Sequence, residues 1–150
     1  MAYNFKKLDD LNVKGKRILL RIDLNSEIIN NKPVLSLRIK KHAKTILELK
    51  RKMAKIIVIS HQSRPGNQDF ISLNEHSKLL NKFVKIYFIQ DIIGKKAEFA
   101  INNLKDGSAI LLENIRFMKE EYNLSMNNKL IYFFRNKIDI YINDAFSICH

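Results

Sequence analysis

Apolar residues fall along this chain in two rhythms. Five short segments, 16–22, 55–60, 85–89, 108–112 and 139–142, carry apolar residues in succession, as in Ile56-Ile57-Val58-Ile59, with little alternation. Strands buried on both faces read this way, and they belong to parallel sheets covered by helices. Between these segments the period lengthens. In 36–52, Leu37, Ile39, Ala43, Ile46, Leu47 and Leu49 recur at helical spacing with lysines between, and Ser36 is placed to cap the first turn. Ser72-Leu73-Asn74-Glu75 has the form of a capping box and predicts a helix to about residue 83. Residues 93–104 and 126–136 read as two further helices, the first closed by the turn Lys105-Asp106-Gly107. Asn30-Asn31-Lys32-Pro33 predicts a turn inside a longer surface excursion.

Strand followed by helix, repeated, predicts an α/β fold. The expected form is a doubly wound, mainly parallel sheet with helices on both faces, Rossmann-like and three-layered, with right-handed crossovers. The length of 150 residues suits one domain over 1–150.

The residues just beyond each strand are polar. Asp23 and Asn25 follow the first; His61, Gln62 and Arg64 the second; Asp91 the third; Glu113, Asn114 and Arg116 the fourth; Asn143 and Asp144 the fifth. Ligands of open α/β sheets bind at that edge. Arg64 and Arg116, with Arg38 in the first turn of a helix, offer planar forks for carboxylate or phosphate, and His61 can donate to the same oxygens. Asp23 and Asn25 suit hydroxyl groups and can orient an arginine. Plainer readings stand beside these. Asp23 can pair with Arg21 or Arg38, Glu113-Asn114 and Asn143-Asp144 can satisfy backbone groups at strand ends, and His42 and His76 read as surface or interface residues.

A net charge of +12 sharpens the picture only slightly, because the lysines are scattered rather than blocked. No aromatic and basic interleaving accompanies the charge, so nucleic acid is not the expected partner. Cys149 is the single cysteine and reads as an inert small residue. With no disulfide possible within the chain, a reducing cytoplasm is the expected compartment. No run is long and apolar enough to span a bilayer, and the first ten residues do not form a signal peptide. Walker loops, Gly-x-Gly-x-x-Gly and zinc-spaced His/Cys sets are missing, so the chain shows no nucleotide or metal motif of its own.

Five ordered motifs carry a resemblance. They are Arg21-Ile22-Asp23-Leu24-Asn25, Leu37-Arg38-Ile39, Ser60-His61-Gln62-Ser63-Arg64-Pro65-Gly66, Leu111-Leu112-Glu113-Asn114-Ile115-Arg116-Phe117, and Asn143-Asp144-Ala145-Phe146 with His150. In this order and spacing they resemble the N-terminal domain of phosphoglycerate kinases, the archaeal form above all at Gln62 and Gly66. The resemblance implies reversible phosphoryl transfer between 1,3-bisphosphoglycerate with ADP and 3-phosphoglycerate with ATP, a step of glycolysis and gluconeogenesis. It implies that this chain supplies the substrate-binding half: Asp23, Leu24 and Asn25 at the hydroxyl and carboxylate end, Arg38 nearest the transferring phosphoryl group as the catalytic residue, and His61, Gln62, Ser63, Arg64 and Arg116 around the distal phosphate. Mg-ATP or ADP is the implied cofactor of the full-length enzyme, held by a C-terminal domain outside this chain.

The chain departs from the family pattern at Ser63, which replaces a glycine, and at Leu35-Ser36-Leu37, which replaces Asp-x-Thr before Arg38. Glu27 stands where proline is common, and Ser147-Ile148-Cys149 replaces small residues. The family continues past His150 with a substrate-binding arginine, so the chain reads as a fragment that does not turn over ATP by itself. The alternative is a non-catalytic module of the same fold that binds polyanions or pairs with a separately made second half.

Overall fold

The computed structural model describes residues 8–122, 125 and 127–148. Cys149 and His150, with the expectations placed on them, lie outside the described residues, as does Met126 at the start of the fourth expected helix.

Five strands form one parallel sheet: β1 (Arg17–Arg21), β4 (Lys55–Ile59), β5 (Tyr87–Ile89), β6 (Ala109–Leu112) and β7 (Ile140–Asn143). Their order is β5-β6-β4-β1-β7, and every pairing is parallel. The unbroken apolar runs are used on both faces. Ile18, Leu20, Ile56, Val58 and Leu111 join one buried cluster, which takes Ile39, Ile46 and Leu49 from α1 (Leu37–Arg51) and Leu80 from α2 (Asn74–Leu80). The alternate residues Leu19, Ile57, Ile59, Ile110 and Leu112 join a second, with Ala97 and Ile101 from α3 (Lys95–Asn102) and Leu130 and Phe134 from α4 (Lys129–Phe134). The doubly wound three-layer α/β fold follows directly from this two-faced burial. Among the described residues no helix is long and apolar enough to cross a membrane.

Local chemistry fixes the joints. Ser36 caps α1 by accepting the Ile39 N–H at 3.3 Å. The surface excursion is a small hairpin, β2 (Ile28–Ile29) against β3 (Lys32–Pro33), turned by Asn30 and Asn31 at φ of 50° and 59°. Two left-handed residues in a two-residue loop match the twist of the strands, and asparagine tolerates that conformation.

Four expectations need correction. Ser72-Leu73-Asn74-Glu75 forms no capping box: the Ser72 hydroxyl donates to Glu113 and accepts the Asn74 N–H, while Glu75 pairs with Lys78. The helix also ends at Leu80, because the Asn81 side chain binds Ser77 and both backbone groups of Ile86 and turns the chain back. Leu37, counted on the apolar face of α1, is 69% exposed, and His42 occupies a buried place on that helix instead. Asp91 does not join the polar edge as a ligand group. Its carboxylate accepts the N–H groups of Ile92, Gly94 and Ala97 and thereby starts α3. A Cβ on Gly94 would lie 2.6 Å from that carboxylate, so a side chain there would push Asp91 away from the N–H groups it accepts.

Candidate functional site

The chain turns off β1 at residues 22–26, and buried hydrogen bonds set its course. The Ser60 hydroxyl donates to the Ile22 carbonyl and accepts the Leu24 N–H, tying the end of β1 to the end of β4. Asp23 accepts the Asn25 N–H at 3.0 Å, Arg38 Nη1 at 2.9 Å and the Ser147 hydroxyl at 2.5 Å. Burial pushes this carboxyl up, but the Ser147 and Asn25 bonds and the Arg38 charge outweigh burial and hold it below the usual aspartate value. Arg38 also reaches the Asn25 carbonyl at 3.2 Å, while 48% of its side chain stays exposed. An arginine in the first turn of α1 is thus held by two groups from the neighbouring loop.

Behind Asp23 lies His42. Its Nε2 lies 3.2 Å from the Asp23 N–H, and its Nδ1 lies 3.0 Å from Asp144, which also receives the Thr45 hydroxyl. A backbone N–H can only donate, so Nε2 accepts and the proton sits on Nδ1. Asp144, raised by burial but lowered further by the His42 and Thr45 bonds, is held below its ordinary value.

Beyond β4 the backbone makes the turn that aims Arg64. Asn67 N–H donates to the Arg64 carbonyl at 3.1 Å around Pro65 and Gly66, with Gly66 at φ 93°. Proline at the first central position and glycine with positive φ at the second are what such a turn needs. Ser63 itself has φ 58°. Its N–H donates to Asn25 Oδ1 at 2.8 Å, its hydroxyl donates to Asp69, and Asn67 donates to that hydroxyl at 3.0 Å. Its carbonyl accepts Arg116 Nη1 at 2.7 Å. Arg116 leaves β6 on a one-turn 3-10 helix (Ile115–Phe117), and its guanidinium lies 5.8 Å from the Tyr122 ring centre.

These groups meet in one cleft of about 930 Å3 at the C-terminal edge of the sheet. It spans the crevice between β4 and β6, where the chain leaves one strand towards α2 on one face and the next towards α4 on the other. Such reversals open ligand sites in α/β sheets. Arg21, Arg38, Arg64 and Arg116 line it, together with Asp23, Asp69 and Glu121. Arg38 is paired with Asp23, and both Nη atoms of Arg21 are held by Glu121. Arg64 is exposed, and neither it nor Arg116 forms an ion pair among the described residues. His61 is buried; burial first, and then the Arg116 charge, lowers its pKa to about 4, so the ring is neutral at pH 7.

A model of the family "Phosphoglycerate kinase" matches residues 8–150. Phosphoglycerate kinases of two archaea are similar: that of Sulfurisphaera tokodaii is 43% identical over 98% of this chain, and that of Sulfolobus acidocaldarius 45% over 95%. The crystal structure of the phosphoglycerate kinase of Pyrococcus horikoshii superposes with a TM-score of 0.91 at 32% identity, covering 97% of this chain. The chain belongs to the phosphoglycerate kinase family. It spans 38% of the length of the Sulfurisphaera relative and 38% of the Pyrococcus chain.

Of the residues that the family resemblance singles out, the fold brings Asp23, Asn25, Arg38, His61, Ser63, Arg64 and Arg116 to the cleft. Two do not line it. The Leu24 side chain is buried in the core below α1, and Gln62 is fully buried, its amide holding both backbone groups of Ser26 and lying 3.0 Å from His76. Their side chains shape the loops rather than face a ligand. The Asp23 carboxylate is already occupied by three donors and acts on Arg38. Asn25 Oδ1 is taken by Ser63, which leaves its NH2 group without a partner among the described residues. Glu113 and Asn114 follow the plainer reading: Glu113 accepts from Ser72, Leu73 and Asn114, and Asn114 bridges Gln62, Ile71 and Arg116. His42 and His76 are buried, contrary to expectation, at 7% and 0% exposure.

Sequence reasoning did not place Asn67, Asp69, Glu121, Tyr122 or Ser147 in the site. Asp69 and Asn67 were within reach of inference, since both flank a turn beside Arg64. Glu121 was not, because its partner lies 100 positions away on β1.

Proposed function

We propose that this chain binds 3-phosphoglycerate and 1,3-bisphosphoglycerate and forms the substrate side of a phosphoglycerate kinase, residues 1–150 acting as its N-terminal domain. One observation carries the reading. Arg64 and Arg116 line the cleft without an ion pair among the described residues, beside the neutral ring of His61. Guanidinium groups that line one cleft without a carboxylate partner suit an oxyanion, which accepts from their planar forks. A phosphate ester supplies the acceptors; an apolar or cationic ligand does not.

In this reading Arg64, Arg116 and His61 take the distal phosphate. His61 enters as a neutral ring that can donate one hydrogen bond without adding to the positive field. Asn25 offers its NH2 group to the glycerate oxygens. Arg38 is the catalytic residue: Asp23 and the Asn25 carbonyl hold one edge of its guanidinium, and the exposed remainder meets the transferring phosphoryl group. Phosphoryl transfer depends mainly on positioning and on offsetting developing charge, which an arginine held in advance supplies.

The nucleotide side of the reaction is assigned elsewhere. Among the described residues no group of three or more His, Cys, Asp or Glu side chains converges as a metal site would require. The three carboxylates of the cleft are already engaged, Asp23 with Arg38, Asp69 with the Ser63 hydroxyl and Glu121 with Arg21, so these residues do not fit the Mg2+ of Mg-ATP or Mg-ADP.

The test is titration of the chain with 3-phosphoglycerate, followed by NMR shift mapping and calorimetry. Saturable shifts at 61–64 and 114–116 are expected, with affinity falling at least about tenfold in Arg64→Ala. Shifts scattered over surface lysines, or equal affinity of the two proteins, would count against the site.

A further inference from the structure

Four guanidinium groups and three carboxylates share the cleft, and the carboxylates are not used alike. Asp23 is built in: besides Arg38 it receives the Ser147 hydroxyl and the Asn25 N–H. Asp69 is spent on the Ser63 hydroxyl. Glu121 is different. Its carboxylate meets both Nη atoms of Arg21 and no other donor among the described residues. It stands at the end of a single 3-10 turn, Lys119–Glu121, rather than on a long helix or a strand. We propose that Glu121 is a built-in rival of the ligand: its carboxylate holds Arg21 in the ligand-free chain and yields that guanidinium to an oxyanion of the bound phosphate ester. This rests on the reading of the cleft as a phosphate-ester site and adds a residue that sets its affinity.

The geometry of Arg21 supports the exchange. Glu121 occupies the two Nη positions, and Nε remains buried without an acceptor among the described residues. A guanidinium held by a carboxylate alone is thus left one bond short. A tetrahedral oxyanion with three or four oxygens can use an Nη and the Nε edge together. Leaving a buried donor unmet costs more than the bond gains when made, so the Glu121-bound state carries an unmet donor that an oxyanion can satisfy.

The surroundings point the same way. Arg116 Nε and His61 Nδ1 are likewise buried without a partner among the described residues, and their residues line the cleft alongside Arg21. The His61 ring responds to the charges of Arg116, Asp23, Arg21 and Glu121 together, as expected if these groups surround one small volume. Arg21 and Glu121 side chains are 13% and 12% exposed, so solvent screens their attraction only in part. A carboxylate brings one negative charge, while a phosphate ester near neutral pH brings nearly two. The dianion therefore wins Arg21 when it is also held by Arg64 and Arg116, and a weakly charged anion does not. Glu121 accordingly raises the threshold for occupancy rather than preventing it.

The experiment compares the 150-residue chain with Glu121→Gln, using 3-phosphoglycerate and inorganic phosphate as probes in calorimetry at fixed ionic strength. Glutamine keeps the size and one acceptor oxygen but removes the rival charge. Affinity for both probes is expected to rise roughly tenfold. Glu120→Gln is the control: it removes the same charge one residue away, where Glu120 lies 3.8 Å from Lys129 and does not line the cleft, and a change under about twofold is expected. Adding Arg21→Gln to Glu121→Gln should abolish the gain, because the rivalry is over that one guanidinium. Glu121→Asp, which withdraws the carboxylate by one methylene, should give a smaller gain and serves if the glutamine variant does not fold.

Unchanged or weaker binding in a folded Glu121→Gln chain overturns the proposal, and so does an equal gain from Glu120→Gln, which would reduce the effect to net charge. A structural role for the ion pair predicts the opposite sign, since loosening Arg21 would weaken the site. If neither the parent chain nor Glu121→Gln binds either probe, the phosphate-ester reading itself falls and this proposal falls with it. If the parent binds and the variant binds no tighter, the rivalry fails alone.

Discussion

The two walls of the cleft are built on opposite electrostatic plans. One wall comes from the ends of β1 and β7 and the start of α1. There Arg38 is matched by Asp23, and behind that pair the neutral His42 ring donates from Nδ1 to Asp144. The other wall comes from the ends of β4 and β6, where Arg64 and Arg116 form no ion pair among the described residues and His61 is a buried neutral ring. The balanced wall holds its groups in place without a ligand. The unbalanced wall presents cationic donors without a carboxylate partner among the described residues. Orientation and attraction are thus divided between two sides of one site, and substitutions on each side should fail in different ways.

The largest difference is expected in binding. Arg116→Ala removes an unpaired guanidinium and also releases the Ser63 carbonyl that it holds. Its affinity for 3-phosphoglycerate should drop by about 2–3 kcal/mol, or roughly fiftyfold. Asp23→Asn leaves the unbalanced wall intact and loosens Arg38, so binding should weaken less than about fivefold, while stability falls by about 1–3 kcal/mol as the buried donors around it lose a charged acceptor. Calorimetry for binding and urea unfolding for stability separate the two. Equal losses of affinity would erase the distinction between the walls.

Acid should distinguish them next. His61 has an ordinary pKa of 6.5 in the unfolded chain and about 4 when folded, so the folded state binds its proton less readily. A depressed histidine contributes nothing lost above pH 6.5 and progressively destabilises the fold as pH falls from about 6.5 to 4. His76, also at about 4 because it is buried, titrates in the same window. Asp23 and Asp144 have pKa values lowered by folding, so their contribution is retained until pH falls below the ordinary aspartate range. Unfolding free energy should therefore fall in two stages. The first, between pH 6.5 and 4, belongs to the histidines, and His61→Asn and His76→Asn should each flatten part of it. The second, at lower pH, belongs to the carboxylates. A pH–stability curve that stays flat down to pH 4 would show that His61 is not held neutral by its surroundings.

Much of this arrangement was legible in the chain before folding, for identifiable reasons. The unbroken apolar runs announced strands covered on both faces, and the polar residues after them announced the edge that would carry the site. Proline and glycine after Arg64 announced its turn. Long-range pairing was not legible. Nothing local says that Arg21 meets Glu121, and of the two partners open to Asp23, Arg21 and Arg38, only the fold selects Arg38. Nor does periodicity show that a histidine on α1 is buried: His42 reads as polar, and only Asp144, over a hundred positions away, makes its burial affordable. Ser72 illustrates the same limit, since a distant carboxylate took the hydroxyl that a local rule assigned to a cap.

The smallest expected effect concerns the hinge between the walls. Ser63 sits at φ 58°, a left-handed conformation that costs a residue with a side chain about 1 kcal/mol. The family resemblance places glycine there, and serine is accommodated by its hydroxyl, which donates to Asp69 and accepts from Asn67. Ser63→Ala keeps the strain and loses both bonds, so stability should fall by about 1–2 kcal/mol. Ser63→Gly also loses the bonds but releases the strain, while adding freedom to the unfolded chain, so the net loss should stay within about 1 kcal/mol. Alanine should therefore be worse than glycine at this position, the reverse of the usual order in regular secondary structure. Urea midpoints of the two variants measure it. If glycine proves the more destabilising, backbone strain at Ser63 is negligible, and the hydroxyl network is not a compensation for it but an independent tether that keeps the Ser63 carbonyl on Arg116.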